Sequence, residues 1–441
     1  MKHVLVCFLL VCGMPDFSLA LTSAPPTPAP SPTPSSSSSL TPAASQAIEI
    51  LRDGIDKANA GNCAEAVKAL ERGIAMDPHS VNAPTANFVL ASCRYYLGDK
   101  PGAIDAYSQA IALKPDYDEA WADRGRIRDE AGRHSAAVQD LSKAIELQPQ
   151  NSTYFTSRGI ARGWLKDYKG AIDDFTKAIA LNDQDARNYL NRAVAKRALR
   201  DMPGALADID AALRANPESA EAHRFRATLL IAKGDFKTAI TELDKTLRAS
   251  PGDEAAISAR GSAFEALGDY KRAAADFDTA IALDPRDFFA VVNRGLARFH
   301  LADYRGAITD YGAAVALYPN SSRAHDGRGA AKAKLNDAPG ALADFTAAIA
   351  LNPKVEEYYR HRGITRFAMR DYTGALTDLN KAVSMAPNDA IAFLTRGLVR
   401  SRLGDSSGAV GDVRTAVALS AKSGDRQTLR AATSQLLKLT H

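Results

Sequence analysis

Nine arginines recur every 34 residues: Arg124, Arg158, Arg192, Arg226, Arg260, Arg294, Arg328, Arg362 and Arg396. Sixteen residues after each stands an acid: Asp140, Asp174, Asp208, Glu242, Asp276, Asp310, Asp344, Asp378 and Asp412. Guanidinium groups in a row can await an anionic ligand, or they can be answered by the carboxylates in charge-assisted hydrogen bonds. A second basic row lies four residues beyond the first: Lys57, Arg94, Arg128, Arg162, Lys196, Arg298, Lys332, Arg366 and Arg400, broken only by Leu230 and Phe264. Other chemistry is sparse. Gly404-Asp405-Ser406-Ser407-Gly408 spells the G-x-S-x-G hydrolase pattern, which needs a strand before the serine and a helix after it. The eight histidines form no H-x-x-x-H pair, and neither a phosphate loop nor a dinucleotide glycine motif occurs, so no metal or cofactor is expected.

The elements that carry these rows are repeats. Numbered from 1 to 34, they run 47–80, 84–117, 118–151, 152–185, 186–219, 220–253, 254–287, 288–321, 322–355, 356–389 and 390–423. Position 8 is small throughout, position 20 is always alanine (Ala66 to Ala409), position 24 is bulky and position 32 is usually proline. Positions 4, 7, 8 and 11 share one helix face, as do 20, 23, 24 and 27. Each repeat is therefore expected to be two amphipathic helices in an antiparallel hairpin. Asp at position 16 (Asp99, Asp167, Asp201, Asp235, Asp269, Asp303, Asp337, Asp371, Asp405), with Asn62 in the first repeat, reads as the cap of the second helix. Proline at position 32 stops that helix.

With the turn near position 15, positions 7 and 23 stand at the same height, so Arg260 should face Asp276. The first two repeats support this. They carry Asp53 and Leu90 at position 7 and Ala69 and Ala106 at position 23, so the arginine and the acid are absent together. The expectation is a ladder of structural ion pairs. Position 11 faces the invariant alanine at 20, and no acid of the same repeat is expected to answer it. Two readings of that row stand open. Arg128, Arg162, Lys196, Arg298, Lys332, Arg366 and Arg400 could bind acidic partner segments. Alternatively, they lay their stems on the core and reach water or a neighbouring repeat.

The pattern resembles the tetratricopeptide repeat family over residues 47 to about 423. The resemblance implies an all-α fold, a superhelix (α-solenoid) of eleven helix-turn-helix units. Its concave groove would hold segments of other proteins, without catalysis. Residues 424–441 look like the terminal capping helix that closes such a stack. The family's carboxylate clamp is incomplete here: Asn191, Asn293 and Arg323 are in place, but their neighbours are not.

The remaining sequence concerns location. Residues 1–20 read as a secretory signal, with Lys2 and His3, the apolar run Val4–Val11 and the small-x-small site Ser18-Leu19-Ala20. Export to a bacterial periplasm or cell envelope is the expectation, with no membrane span in the mature protein. A retained anchor, or a lipid on Cys12, is the alternative. Residues 21–46 hold seven prolines and many serines and read as a disordered linker. Cys63 and Cys93 would be near one another, either as a disulfide or as two buried thiols. A net charge of +4 gives no electrostatic case for nucleic acid.

Overall fold

The computed structural model describes residues 41–440; the expected signal and the linker up to residue 40 lie outside the described residues. Those described form 23 α-helices and no strand, two helices per repeat and one more at the end. They fall into two compact units that divide between Ala232 and Lys233.

Repeat eight shows how the sequence builds a hairpin. Helix Phe288–His300 ends at Leu301, Ala302 turns the chain, and helix Tyr304–Leu317 returns. Asp303 accepts a hydrogen bond from the Gly306 amide at 2.9 Å, which satisfies one of the donors a helix start leaves open. All nine position-16 aspartates cap in this way. Asn62 occupies the cap position without making a cap bond, contrary to expectation. The turn itself requires a left-handed residue at position 15 of every repeat. Six are glycines, such as Gly268, and five are not: Lys166, Arg200, Ala302, Asn336 and Arg370.

The two helices of a hairpin approach closely because position 8 is small. A methyl group added at Gly159 would come within 2.7 Å of the Phe175 ring. The bulky residue at 24 and the alanine at 20 fill the space between the helices: Phe175, Phe277 and Phe345 are almost fully buried, as are Ala171, Ala273 and Ala341. Consecutive hairpins pack second helix to first helix. Contacts that skip one helix join first helices to first helices, both in the leading unit and in the trailing one. Within each unit the first helices therefore share one continuous face.

Two boundaries differ from the sequence reading. The first helix begins at Pro42, not at 47, because Thr41 accepts from the Ala44 amide and proline suits the first helical turn. The second helix of repeat eleven, Ser406–Ser423, overruns its fourteen-residue counterparts. Position 32 is Ala421 there, so nothing stops the helix until Gly424 adopts a left-handed φ of 74°. Helix Arg426–Thr440 then covers the last hairpin, burying Ala432 against Val413 and Ala416.

Candidate functional site

The arginine and acid rows meet. Eight of the nine pairs lie inside one unit or the other, from Arg124 with Asp140 to Arg396 with Asp412. In each, Nε and Nη2 of the arginine donate to the two oxygens of its own acid at 2.6–3.1 Å. Arg226 and Glu242 belong to different units. Parallel bonds of this kind hold both groups in one geometry. The acids are almost wholly enclosed: Asp140, Asp174, Asp310 and Asp378 are 3% exposed or less.

The second basic row converges on the same acids. Arg128 reaches Asp140 at 2.7 Å, Arg162 reaches Asp174 at 2.8 Å, and Lys196 reaches Asp208 at 2.8 Å. Arg298 reaches Asp310 at 2.9 Å, Lys332 reaches Asp344 at 2.8 Å, Arg366 reaches Asp378 at 2.8 Å, and Arg400 reaches Asp412 at 3.0 Å. This corrects the premise that no acid of the same repeat answers position 11. Side chains on a helix lean toward its N-terminus, so a long base at position 11 reaches back one turn to the level of position 7. Residues Arg128, Arg162, Lys196, Arg298, Lys332, Arg366 and Arg400 thus do not form a free row for acidic partners. Burial pushes the Asp344 carboxyl up, but bonds from Arg328 and Lys332 outweigh it and hold it below the usual range.

A third contact escaped the sequence reading. The remaining arginine nitrogen, Nη1, donates backward to position 25 of the preceding repeat. Arg124 meets Ser108 at 2.9 Å, Arg158 meets Ser142 at 3.0 Å, and Arg192 meets Thr176 at 3.0 Å. Arg260 meets Asp244 at 2.6 Å, Arg294 meets Asp278 at 2.8 Å, and Arg396 meets Asn380 at 3.1 Å. Arg226 pairs with Asp210 through Nη2 at 3.3 Å. Eight of the nine arginines therefore clamp their own hairpins, and eight tie back to the hairpin before. Only Arg328 finds no side chain at that position, which is Gly312.

Beyond the two basic rows, polar contacts also join neighbouring first helices. In repeats two and three a polar and aromatic cluster spans two adjacent first helices. The Tyr95 hydroxyl donates to Glu130 at 2.9 Å, and Lys100 stands 3.1 Å from the same carboxylate. Arg126 lies over the Tyr95 ring and donates to Asp123 at 3.3 Å, which also accepts from Tyr107. Burial raises the Asp123 carboxyl although Arg126 and Tyr107 oppose it. Arg126 Nη1 is buried with no hydrogen-bond partner among the described residues, 3.7 Å from Glu130. In repeat four Tyr154 reaches back to Asp118 at 2.9 Å. The trailing unit repeats the device, with Tyr358 on Ser322 and His361 on Asp326. Sequence reasoning missed this cluster because its members stand about 30 to 36 residues apart with no shared residue type.

The serine of the hydrolase pattern opens a helix after a left-handed glycine turn, with Asp405 as the cap. No strand precedes it. Cys63 and Cys93 are free thiols in one hydrophobic cluster. Among the described residues no group of three metal-binding side chains occurs, and no helix is long and apolar enough to cross a membrane.

Antiparallel hairpins stacked at a constant 34-residue register define a helical-repeat protein. A sequence profile of the tetratricopeptide repeat matches residues 51–118, 88–152, 190–254, 258–322 and 292–356, together more than half of the chain. The chain belongs to the tetratricopeptide repeat family. Among solved structures it is similar to yeast Tom70 at 18% identity, over 89% of this chain and 96% of that one, with a TM-score of 0.38. A tetratricopeptide repeat protein from Parabacteroides merdae matches at 18% identity over 57% and 99%, with a TM-score of 0.46. YrrB, described as having an unusual peptide-binding site, matches at 23% identity over 42% and 95%, with a TM-score of 0.37. No curated protein matches.

Proposed function

We propose that this protein is an exported, non-enzymatic scaffold that holds segments of other proteins on the first-helix face. The observation that carries the location of the site is the exhaustion of the charged rows: their bases already share buried acids. The cluster of Tyr95, Asp123, Arg126 and Glu130 has what a recognition surface needs. It combines aromatic area with fixed charges. A photo-crosslinking residue placed at Tyr96, 73% exposed on the same helix, tests the site. Crosslinked partners should appear there and fall away when Arg126→Ala is added. An equal yield from a crosslinker at Thr309, on the second-helix side, would refute the placement.

Export rests on the N-terminal signal pattern alone. The mass of the mature N-terminus tests it. Cleavage near Ala20 fits a released scaffold, whereas an intact start or a lipid on Cys12 would make it a tethered one.

A further inference from the structure

We propose that Cys63 and Cys93 form a redox staple across the junction between repeats one and two. Three observations converge on this pair. Cys63 opens the second helix of repeat one (Cys63–Met76) and is half-buried, while Cys93 lies in the first helix of repeat two (Ala83–Tyr96) and is 2% exposed. Cys93 belongs to a hydrophobic cluster against which Cys63 packs, and the two helices that carry them lie directly against each other. Two thiols in one cluster on packed neighbouring helices are placed to join with little backbone movement.

The third observation is where they lie. From repeat three onward every arginine holds its own acid or a neighbour's, and all but one reach into the repeat before. The first junction has neither part of that device, since Leu90 stands at position 7 and Ala69 and Ala106 at position 23. Its polar tie is a single ion pair, Arg94 with Glu71 at 2.7 Å, whose acid is 48% exposed. Half-exposed pairs of this kind add little. A disulfide would close a loop from 63 to 93 and lock the junction that the arginine clamp leaves open.

The chemistry follows from access. Cys63 meets the oxidant, a small-molecule disulfide such as oxidised glutathione. Its thiolate attacks one sulfur, the oxidant's S–S bond breaks, and the departing glutathione thiolate takes up the proton that Cys63 gave. Cys93 then loses its proton to solvent and attacks the Cys63 sulfur. That step breaks the mixed disulfide and releases a second glutathione. Two protein thiols are oxidised by two electrons, and one glutathione disulfide is reduced to two thiols. Burial, with Cys63 alongside, pushes the Cys93 thiol up to about 12, which fits it to the second step and not the first.

The test uses the full chain carrying C7S and C12S, so that only these two thiols count. After equilibration with oxidised glutathione, intact mass should fall by two hydrogens, and digestion should yield a Cys63–Cys93 peptide. In the same background, Cys93→Ala should stop at one glutathione adduct on Cys63, and Cys63→Ala should leave Cys93 unreacted in the native state. Amide exchange in the helices Cys63–Met76 and Ala83–Tyr96 should slow at least about tenfold on oxidation and recover with dithiothreitol. The Cys63→Ala/Cys93→Ala chain, which should stay folded by circular dichroism, should show no such response. Two free thiols at equilibrium, a disulfide only between chains, or unchanged exchange on oxidation would each overturn the proposal.

Discussion

Asp310→Ala should be among the most damaging single substitutions in repeat eight. Asp310 is 1% exposed and accepts from Arg294 at 3.1 and 2.6 Å and from Arg298 at 3.0 and 2.9 Å. Its removal leaves two guanidinium groups, 19% and 27% exposed, with only Asp278 to share. Breaking a buried pair costs about 3–5 kcal/mol, and partial access to water trims this to roughly 2–4 kcal/mol. Asp276→Ala supplies the comparison. It strands one arginine, because Phe264 replaces the second base, and Arg260 keeps Asp244 at 2.6 Å. Its cost should be about 1–2 kcal/mol. Long repeat arrays depart from two-state unfolding, so the readout is native-state amide exchange of each hairpin rather than a single midpoint. A difference of about 2 kcal/mol is roughly thirtyfold in exchange rate. Replacing the whole triad, Arg294→Leu with Arg298→Met and Asp310→Leu, should return most of the loss, since apolar residues of similar volume remove the stranded charges. The reasoning is refuted if the two aspartates cost the same, or if the triple substitution costs the sum of its parts.

Three further outcomes are expected. Gly312→Asp should give Arg328 the acceptor that Asp278 gives Arg294, stabilising repeats eight and nine by about 0.5–1 kcal/mol beyond Gly312→Ala, an excess that vanishes with Arg328→Met in a cycle read by native-state amide exchange. Ala302 turns its hairpin at a φ of 62°, so Ala302→Gly should gain about 0.5–1 kcal/mol by the same exchange measurement. Burial, with Arg323 opposing, pushes the Glu265 carboxyl up to about 7. A raised carboxyl binds its proton more tightly when folded, so this contribution is full below about 4.5 and is lost as pH rises toward 7. Glu265→Gln should therefore match the parent at about pH 4 and exceed it at about pH 8 by a few kcal/mol in the same exchange measurement.

The hairpin was legible because its determinants are local and repeated: alanine at 20, proline at 32, the aspartate cap and a fixed period. The pairing of positions 7 and 23 was legible because the first two repeats lack both members. Position 11 misled because heights along a hairpin locate backbones, while a long arginine ends a full turn away from its own Cα. The backward bond to position 25 stayed hidden because Ser108, Thr176, Asp244 and Asn380 share only an acceptor oxygen. The first-helix cluster of Tyr95, Asp123, Arg126 and Glu130 stayed hidden for a related reason: stacking, not sequence spacing, makes its members neighbours.

The backward bond also makes the chain a text that can be cut and spliced. Every joint from repeat three onward except that of Arg328 uses the same plug, an arginine, and a socket that carries an oxygen. Excision of one whole period, such as 152–185, would set Arg192 against Ser142, a socket it can use as well as Thr176. A deletion that is not a whole number of periods would not. Length in this protein is thus free to drift by whole words and by nothing smaller, and the reach of its binding face can change without redesign of any joint.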